Sequence, residues 1–295
     1  MIPAYHKGAE PKLYLMQPSF WSYLWSLLRA SSIGLYKDGC LGIAKGAAYS
    51  ALLSFFPVLT TLAAVLVQAR AEAVSRTVAR LLYDVVPPGT EDVVRTLFVV
   101  HGEHPRYLLV AAIVLAGWAA SGAMMSMLEG FRAVYHIPQG RSFLKERGIA
   151  IMLVFTSALP VIAASALIVF GKRGERDLVD WLRPNAPELG GWVLLAGQIL
   201  RFLLASASIV LATALIYHWG PNRKQSFQQV LPGALLATLL WLFATLVFGW
   251  YVRYVANYNV LYGSVGAGLA LLVWMYVLSI IILLGCEFNH AREQT

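Results

Sequence analysis

The chain has 295 residues, of which 59% are hydrophobic and 13% charged, with a formal net charge of +8. Soluble domains carry roughly 25% charged residues, so the composition excludes an ordinary soluble domain and indicates a polytopic membrane protein. The positive balance is then explained by loops that set topology and meet anionic lipid headgroups, with no call for nucleic acid.

Residues 1–18 are polar, contain Pro3, Pro11 and Pro18, and lack the continuous apolar core of a cleavable signal; a loose cytoplasmic tail is expected. Ser19 can cap the next segment. From Phe20 to Tyr36, residues Trp21, Leu24, Trp25, Leu28 and Leu35 fall near one helical face and Ser22, Ser26, Arg29 and Ser32 nearer the other. That pattern predicts an interfacial amphipathic helix anchored by tryptophan. A single transmembrane domain over 19–290 follows, with a short cytoplasmic tail at 291–295.

The first span is expected at about 42–68, where Gly42 and Gly46 have the spacing that lets helices approach closely and Pro57 predicts a kink. Residues 69–106 form a mixed-charge outer segment, read as a helical hairpin divided at Pro87, Pro88 and Gly89. Further spans are expected at about 107–128, 148–170, 191–217, 230–251 and 264–286, with a polar outer loop at 171–191. Each apolar run is long enough, at about 1.5 Å per residue, to cross roughly 30 Å of hydrocarbon. The short loops at 141–147 and around Arg223 and Lys224 are basic, which places both termini on the cytoplasmic side. The fold class is all-α: a polytopic helical bundle of six spans, an interfacial helix and an outer hairpin.

Several residues stand out. Arg201, with Gln198 one turn before it, lies about ten residues into the fourth span, where an ionisable group costs roughly 2.5 to 3.5 kcal/mol. It either lines a polar cavity or snorkels along a tilted helix to the headgroups. Glu287 closes the last span, either as a proton- or cation-coupling acid, as a salt-bridge partner of Lys145 or Arg147, or as a solvated interfacial acid. Glu129 has Arg132 at i+3 on its own helical face. Asn257, Asn259, Tyr262, Gly263, Ser264 and Gly266 precede the last apolar run, as a broken helix start open to an anionic headgroup or as a tight turn. Tyr49, Ser54 and Pro57 either line a groove or pack. His101 and His104 flank Gly102 and Glu103 beside Pro105, the composition of a solvated loop.

No enzyme constellation is present. His6, His101, His104, His136, His218 and His290 are scattered, and no metal-ligand or nucleophile motif occurs. Cys40 and Cys286 form no Cys-x-x-Cys pair, so neither a zinc site nor a disulfide framework is expected. No cofactor is expected.

The segment A-A-Y-S-A-L-L-S-F-F-P at 47–57 resembles the YihY/BrkB family, as do W-A-A-S-G at 118–122, R-S-F-L-K-E-R at 141–147 and L-P-G-A-L-L-A-T-L-L-W at 231–241. The likeness is strongest in N-Y-N-V-L-Y-G-S-V-G-A at 257–267 with L-L-G-C-E-F-N at 283–289, although Cys286 stands where the family more often has a small residue. The resemblance implies a multi-pass protein of the bacterial inner membrane. Its members were once labelled ribonuclease BN, a label regarded as a misassignment, and others virulence factors. Physical reasons also disfavour a nuclease, because the acids lie mostly in outer segments and do not cluster with histidines. The expected activity is transport of a lipid or another amphipathic envelope component. A proton-coupled exporter of ions or small solutes and a non-transporting envelope scaffold are the alternatives. Membrane lipids are the expected partners, with envelope proteins or a second copy of the chain as further ones.

Overall fold

The computed structural model describes residues 20–68, 106–138, 140–182, 189–254 and 263–294. The tail at 1–18, the hairpin at 69–105 and the residues Asn257, Asn259 and Tyr262 lie outside this set, as does the His101–His104 segment; of Ser264 only the backbone is described. The described residues form seven helices and no strand: α1 (Phe20–Lys37), α2 (Cys40–Gln68), α3 (Arg106–Val134), α4 (Phe143–Leu182), α5 (Leu189–Trp219), α6 (Phe227–Tyr254) and α7 (Gly263–Glu293). Six of them, α2 to α7, are long and apolar enough to cross a membrane.

The last span organises the bundle. Helix α7 packs against α6, α2, α1 and α3, and it is the most buried of the six spans. Helices α2 with α3, and α4 with α5, form the other close pairs. The interior is built on small side chains, Cys40, Ala44, Ala47, Ala150, Ala214, Ala234 and Ala237, around Phe131, Tyr217 and Leu283. The outer faces of the spans are strongly apolar, for example Leu239, Phe243 and Leu246 on α6. A bundle with its carbon outside and its hydroxyls returned to its own backbone is what hydrocarbon demands. Thr61 does this between helices, donating to Ala112 O at 3.0 Å.

Several boundaries differ from the sequence reading. The expected outer loop after residue 170 is helical as far as Leu182, so α4 has 40 residues. At about 1.5 Å per residue that is about 60 Å, twice the hydrocarbon thickness. Residues 171–182 contain no proline, and Lys, Arg and Glu are good helix formers in water. The basic 141–147 loop is shorter than expected, because α4 begins at Phe143 and already holds Lys145 and Arg147. Helix α3 runs on to Val134 rather than stopping at Leu128. It ends in a turn with His136 in the left-handed region at φ 50°, where Ile137 N bonds Arg132 O at 3.0 Å and His136 N bonds Ala133 O at 3.1 Å. Those two bonds satisfy the last carbonyls, and Pro138 forbids further helix. Helix α2 starts at Cys40 and continues through Pro57 without a break.

The seam of α2 is also shifted. Gly42 faces open space and a Cβ built on Gly46 would meet only Ser126 Oγ, at 4.0 Å, while Ala44, Ala47 and Ala48 are buried. Alanine therefore provides the close approach on this helix. On α1, Leu27, Ser31 and Leu35 face the bundle, and Trp21 and Trp25 point outward at 76% and 71% exposure. The tryptophan stripe is thus available to the membrane boundary, and a separate, narrower stripe docks α1 onto α7.

Candidate functional site

The polar side chains gather at one end of the bundle, where α1, α3, α5 and α7 finish and α2, α4 and α6 begin. The α1–α2 turn is only Asp38 and Gly39. Gly39 takes φ 67°, which a residue without a Cβ reaches at no steric cost. This tight reversal sets Asp38 and Cys40 beside the end of α7. There Glu287 is buried, its Oε1 3.9 Å from Cys40 Sγ, with the Asp38 carboxyl nearby. Helix α1 passes so close that a Cβ on Gly34 would lie 2.6 Å from Glu287 Oε2. Behind Asp38 stand His136, with Nε2 at 4.0 Å from Oδ1, and then His290, with its ring 5.8 Å from that of His136.

Around this cluster the connections are locked together. Arg223 pairs with Glu293 at 2.6 Å and lies 4.2 Å above the Tyr135 ring. Burial raises the Tyr135 phenol above its ordinary value, so it stays neutral. Arg141 donates to the carbonyls of Gly220 at 2.8 Å, Pro221 at 3.3 Å and Trp219 at 3.4 Å, which pins the α5–α6 connection. Burial pulls that guanidinium below its ordinary value while nearby Glu146 pushes back. Helix α6 is started by Ser226, whose N–H is accepted by the Gln229 side chain at 2.7 Å, one half of a capping box.

The sequence candidates separate into three groups. Glu287 is inside the cluster, but the structure places neither expected basic partner beside it. Lys145 faces an open cleft, and Arg147 lies 4.2 Å over the Trp118 ring and donates to Trp118 O at 2.9 Å. Cation–π and carbonyl contacts hold Arg147 against α3. Arg132 also has another partner than the one its spacing offered, pairing with buried Glu146 at 2.9 Å while Glu129 is exposed. A cross-helix acid that is itself buried holds the guanidinium better than a solvated neighbour at i+3. Arg201 is half-buried, its stem against Gly171 of α4 with Cδ 3.2 Å from where a Cβ would sit, and Gln198 is exposed. On α2, Tyr49 points outward, and Ser54 returns its hydroxyl to Ala51 O at 2.9 Å.

Asp38 and Tyr217 went unmarked in the sequence, Cys40 and Asn289 were marked for other reasons, and all four matter here. Tyr217 is fully buried and donates to Ile282 O at 2.6 Å. Asn289 accepts from Gly233 N at 2.7 Å and donates to Val230 O at 3.0 Å. An asparagine and a glycine at the end of an apolar run were the available signal for the α6–α7 clasp. Asp38 carried no signal without a fold, since its partner is about 250 residues away. Both cysteines are free and buried. Among the described residues no three His, Cys, Asp or Glu side chains form a group able to hold a metal ion.

A second feature lies deeper. A crevice of about 220 Å³ opens between α5, α6 and α7, lined by Ile209, Thr213, Ala237, Thr238, Trp241 and Ile282 among others. Its two hydroxyls are turned away from the space: Thr213 donates to Ile209 O at 3.0 Å and Thr238 to Ala234 O at 2.8 Å. The crevice therefore presents carbon.

Comparison with known proteins agrees with this architecture. The model of the family described as virulence factor BrkB matches residues 34–295. A Bacillus subtilis protein whose name likens it to a ribonuclease, YfkH, is 30% identical over 190 residues, covering 63% of this chain and 67% of its own. A UPF0761 membrane protein of Tolumonas auensis is 26% identical over 246 residues, covering 82% of this chain and 77% of its own. A UPF0761 membrane protein of Chromobacterium violaceum is 26% identical over 219 residues, which is 72% of this chain but only 48% of that relative's length. No solved structure matches the chain. With a family model covering nearly the whole sequence and six spanning helices around a central α7, the chain belongs to the virulence factor BrkB family of integral membrane proteins.

Proposed function

We propose that the protein moves a lipid or another amphipathic envelope component through the bacterial inner membrane, with its termini on the cytoplasmic side. The observation that carries this reading is the α5–α6–α7 crevice, an intramembrane space whose only hydroxyls are tied to their own helices. An ion or a small hydrophilic solute needs polar groups to replace its hydration shell. An acyl chain needs none, and gains from apolar contact. Ribonuclease activity, which the printed name of one relative suggests, is not favoured.

The test is fluorescent-lipid translocation in proteoliposomes of the full chain. Wild type is expected to move lipid faster than protein-free vesicles. Thr213→Trp, which fills the crevice, is expected to slow it about tenfold, corresponding to roughly 1.4 kcal/mol on the barrier. Translocation no faster than in protein-free vesicles, with or without a pH gradient, ends the lipid reading.

A second reading has its own observation. Glu287 is a buried acid at 3.9 Å from Cys40 Sγ, and Asp38 on the adjoining α1–α2 turn has His136 Nε2 at 4.0 Å, so acid and imidazole groups gather at one end of the bundle. This is the chemistry of proton coupling. If it operates, transport accelerates when a pH gradient is imposed, and Glu287→Gln removes that acceleration while leaving the basal rate. A wild-type rate indifferent to the gradient rules the coupling out.

A further inference from the structure

A cleft of about 700 Å³ lies at the polar end between the start of α4 and the α5–α6 connection, and neither Glu287 nor any residue of the crevice lines it. It is lined by Gly140, Arg141, Ser142, Lys145, Gly148, Ile149, Met152 and Asn222. We propose that this cleft binds the phosphate-bearing headgroup of an anionic membrane phospholipid, with Lys145 as the cation that meets the phosphate and Ile149 and Met152 as the floor beneath its first methylenes.

Charge makes the first argument. Arg132 sits behind Gly140, but Glu146 neutralises it at 2.9 Å. Arg141 spends its donors on three backbone carbonyls, which carry no net charge, and with one acid, Glu146, near both arginines a net positive charge remains at the wall of the cleft. Lys145 is exposed and faces the space. The cleft is therefore a cationic cavity in which one cation is fixed by the loop and the other is mobile. Ser142 and Asn222 add neutral donors at the same level.

The gradient of polarity makes the second argument. Lys145, Ile149 and Met152 stand at i, i+4 and i+7, one stripe down the first turns of α4. The apolar run long enough to span begins at Phe143, and Phe143 and Leu144 are exposed there, as residues facing lipid at a span's start would be. The cleft thus runs from cations at the boundary to carbon below it, the polarity profile of a phospholipid. A free phosphate would be served by the mouth alone and would gain nothing from the floor. Gly148 leaves the room: a Cβ built there meets nothing within 4 Å.

This site supplies a headgroup class for the proposed function and rests on that reading only for its part in transport. Binding is tested on the full chain in detergent micelles by the anisotropy of a short-chain fluorescent phosphatidylglycerol. Phosphatidylcholine of the same chain length and inorganic phosphate serve as competitors. Phosphatidylglycerol is expected to compete about tenfold better than phosphatidylcholine. Lys145→Glu is expected to weaken binding tenfold or more, about the effect of reversing one surface charge. Gly148→Leu, which fills the cleft at a position with open space, does the same without altering charge, and Lys145→Arg retains binding. Equal competition by the two lipids, unchanged binding in both Lys145→Glu and Gly148→Leu, or displacement by millimolar inorganic phosphate overturns the site. Binding needs no translocation, so the two readings fail separately. Protein that binds here and moves nothing loses the transport reading and keeps the site. Protein that moves lipid, and binds it as well after both substitutions, keeps transport and loses the site.

Discussion

Gly285→Val leaves little or no folded protein. A Cβ at Gly285 would overlap the Tyr217 hydroxyl and stand 2.7 Å from Gly233 O and 2.9 Å from Ala237 Cβ. Two of those three neighbours cannot step aside. Gly233 O belongs to the α6 backbone, and Tyr217 is fully buried and held by its bond to Ile282 O. The approach is reciprocal, because a Cβ on Gly233 would run into Gly285 O and lie 2.6 Å from Asn289 Cγ. Between helices in lipid there is no hydrophobic drive to offset a lost contact, so close backbone packing carries the association. Overpacking of a tight core costs about 1 to 3 kcal/mol or more, and here it must also separate α6 from the central helix. Gly42→Val is the control, since Gly42 is helical and faces open space; its cost is expected to stay within about 0.5 kcal/mol. The readout is the yield of monodisperse protein and its thermal unfolding in detergent. A Gly285→Val protein as stable as Gly42→Val would mean that α6 and α7 do not meet at these glycines.

Those two glycines also mark what could be read from the sequence. The number and order of the spans were legible, because each is an uninterrupted apolar run and the lipid imposes its length on the sequence. The importance of the last span was legible too, in the glycines and polar residues that bracket it. Helix ends were not, because charged residues beyond the hydrocarbon continue α4 to Leu182 as comfortably as they would form a loop. Partner choice was the least legible. Arg132 has an acid at i−3 and takes one 14 residues later, and Glu287 is joined to Cys40 across 247 residues. Local spacing proposes partners within one helix, whereas burial decides among those that tertiary packing brings near. Lys145 and Arg147 show the same limit. Two residues apart on one helix, they face different neighbours, a cleft and the Trp118 ring, and the periodicity of a short basic run does not say which neighbour each will find.

Asn289→Ala is expected to lower stability by about 2 to 6 kcal/mol, because it strands one buried donor and one buried acceptor at about 1 to 3 kcal/mol each. The side chain is 1% exposed and bridges Gly233 N and Val230 O on α6. That part of α6 has reason to need a bridge. Pro232 interrupts its N–H ladder, and the glycine after it must stay bare for Gly285 to approach. Asn289→Asp keeps the acceptor for Gly233 N but loses the donor to Val230 O, so it does not restore stability. Glu287→Gln provides the contrast. Residues two apart on a helix do not share a face, and Glu287 turns toward α1 and α2 while Asn289 turns toward α6. Glutamine keeps the size of the side chain and an acceptor for the Cys40 thiol, so its stability is expected to stay within about 1 kcal/mol of wild type. Unfolding by denaturing detergent in mixed micelles separates the two substitutions, and translocation measured on the same preparations separates them again. A stable Asn289→Ala protein that no longer moves lipid would transfer Asn289 from the clasp to the transport path. An unstable Glu287→Gln protein would make the acid a packing element and remove the ground for proton coupling. The end of α7 is thus built with two sides, one that fastens the bundle and one that keeps an acid at the α1–α2 turn, and the two substitutions test that division directly.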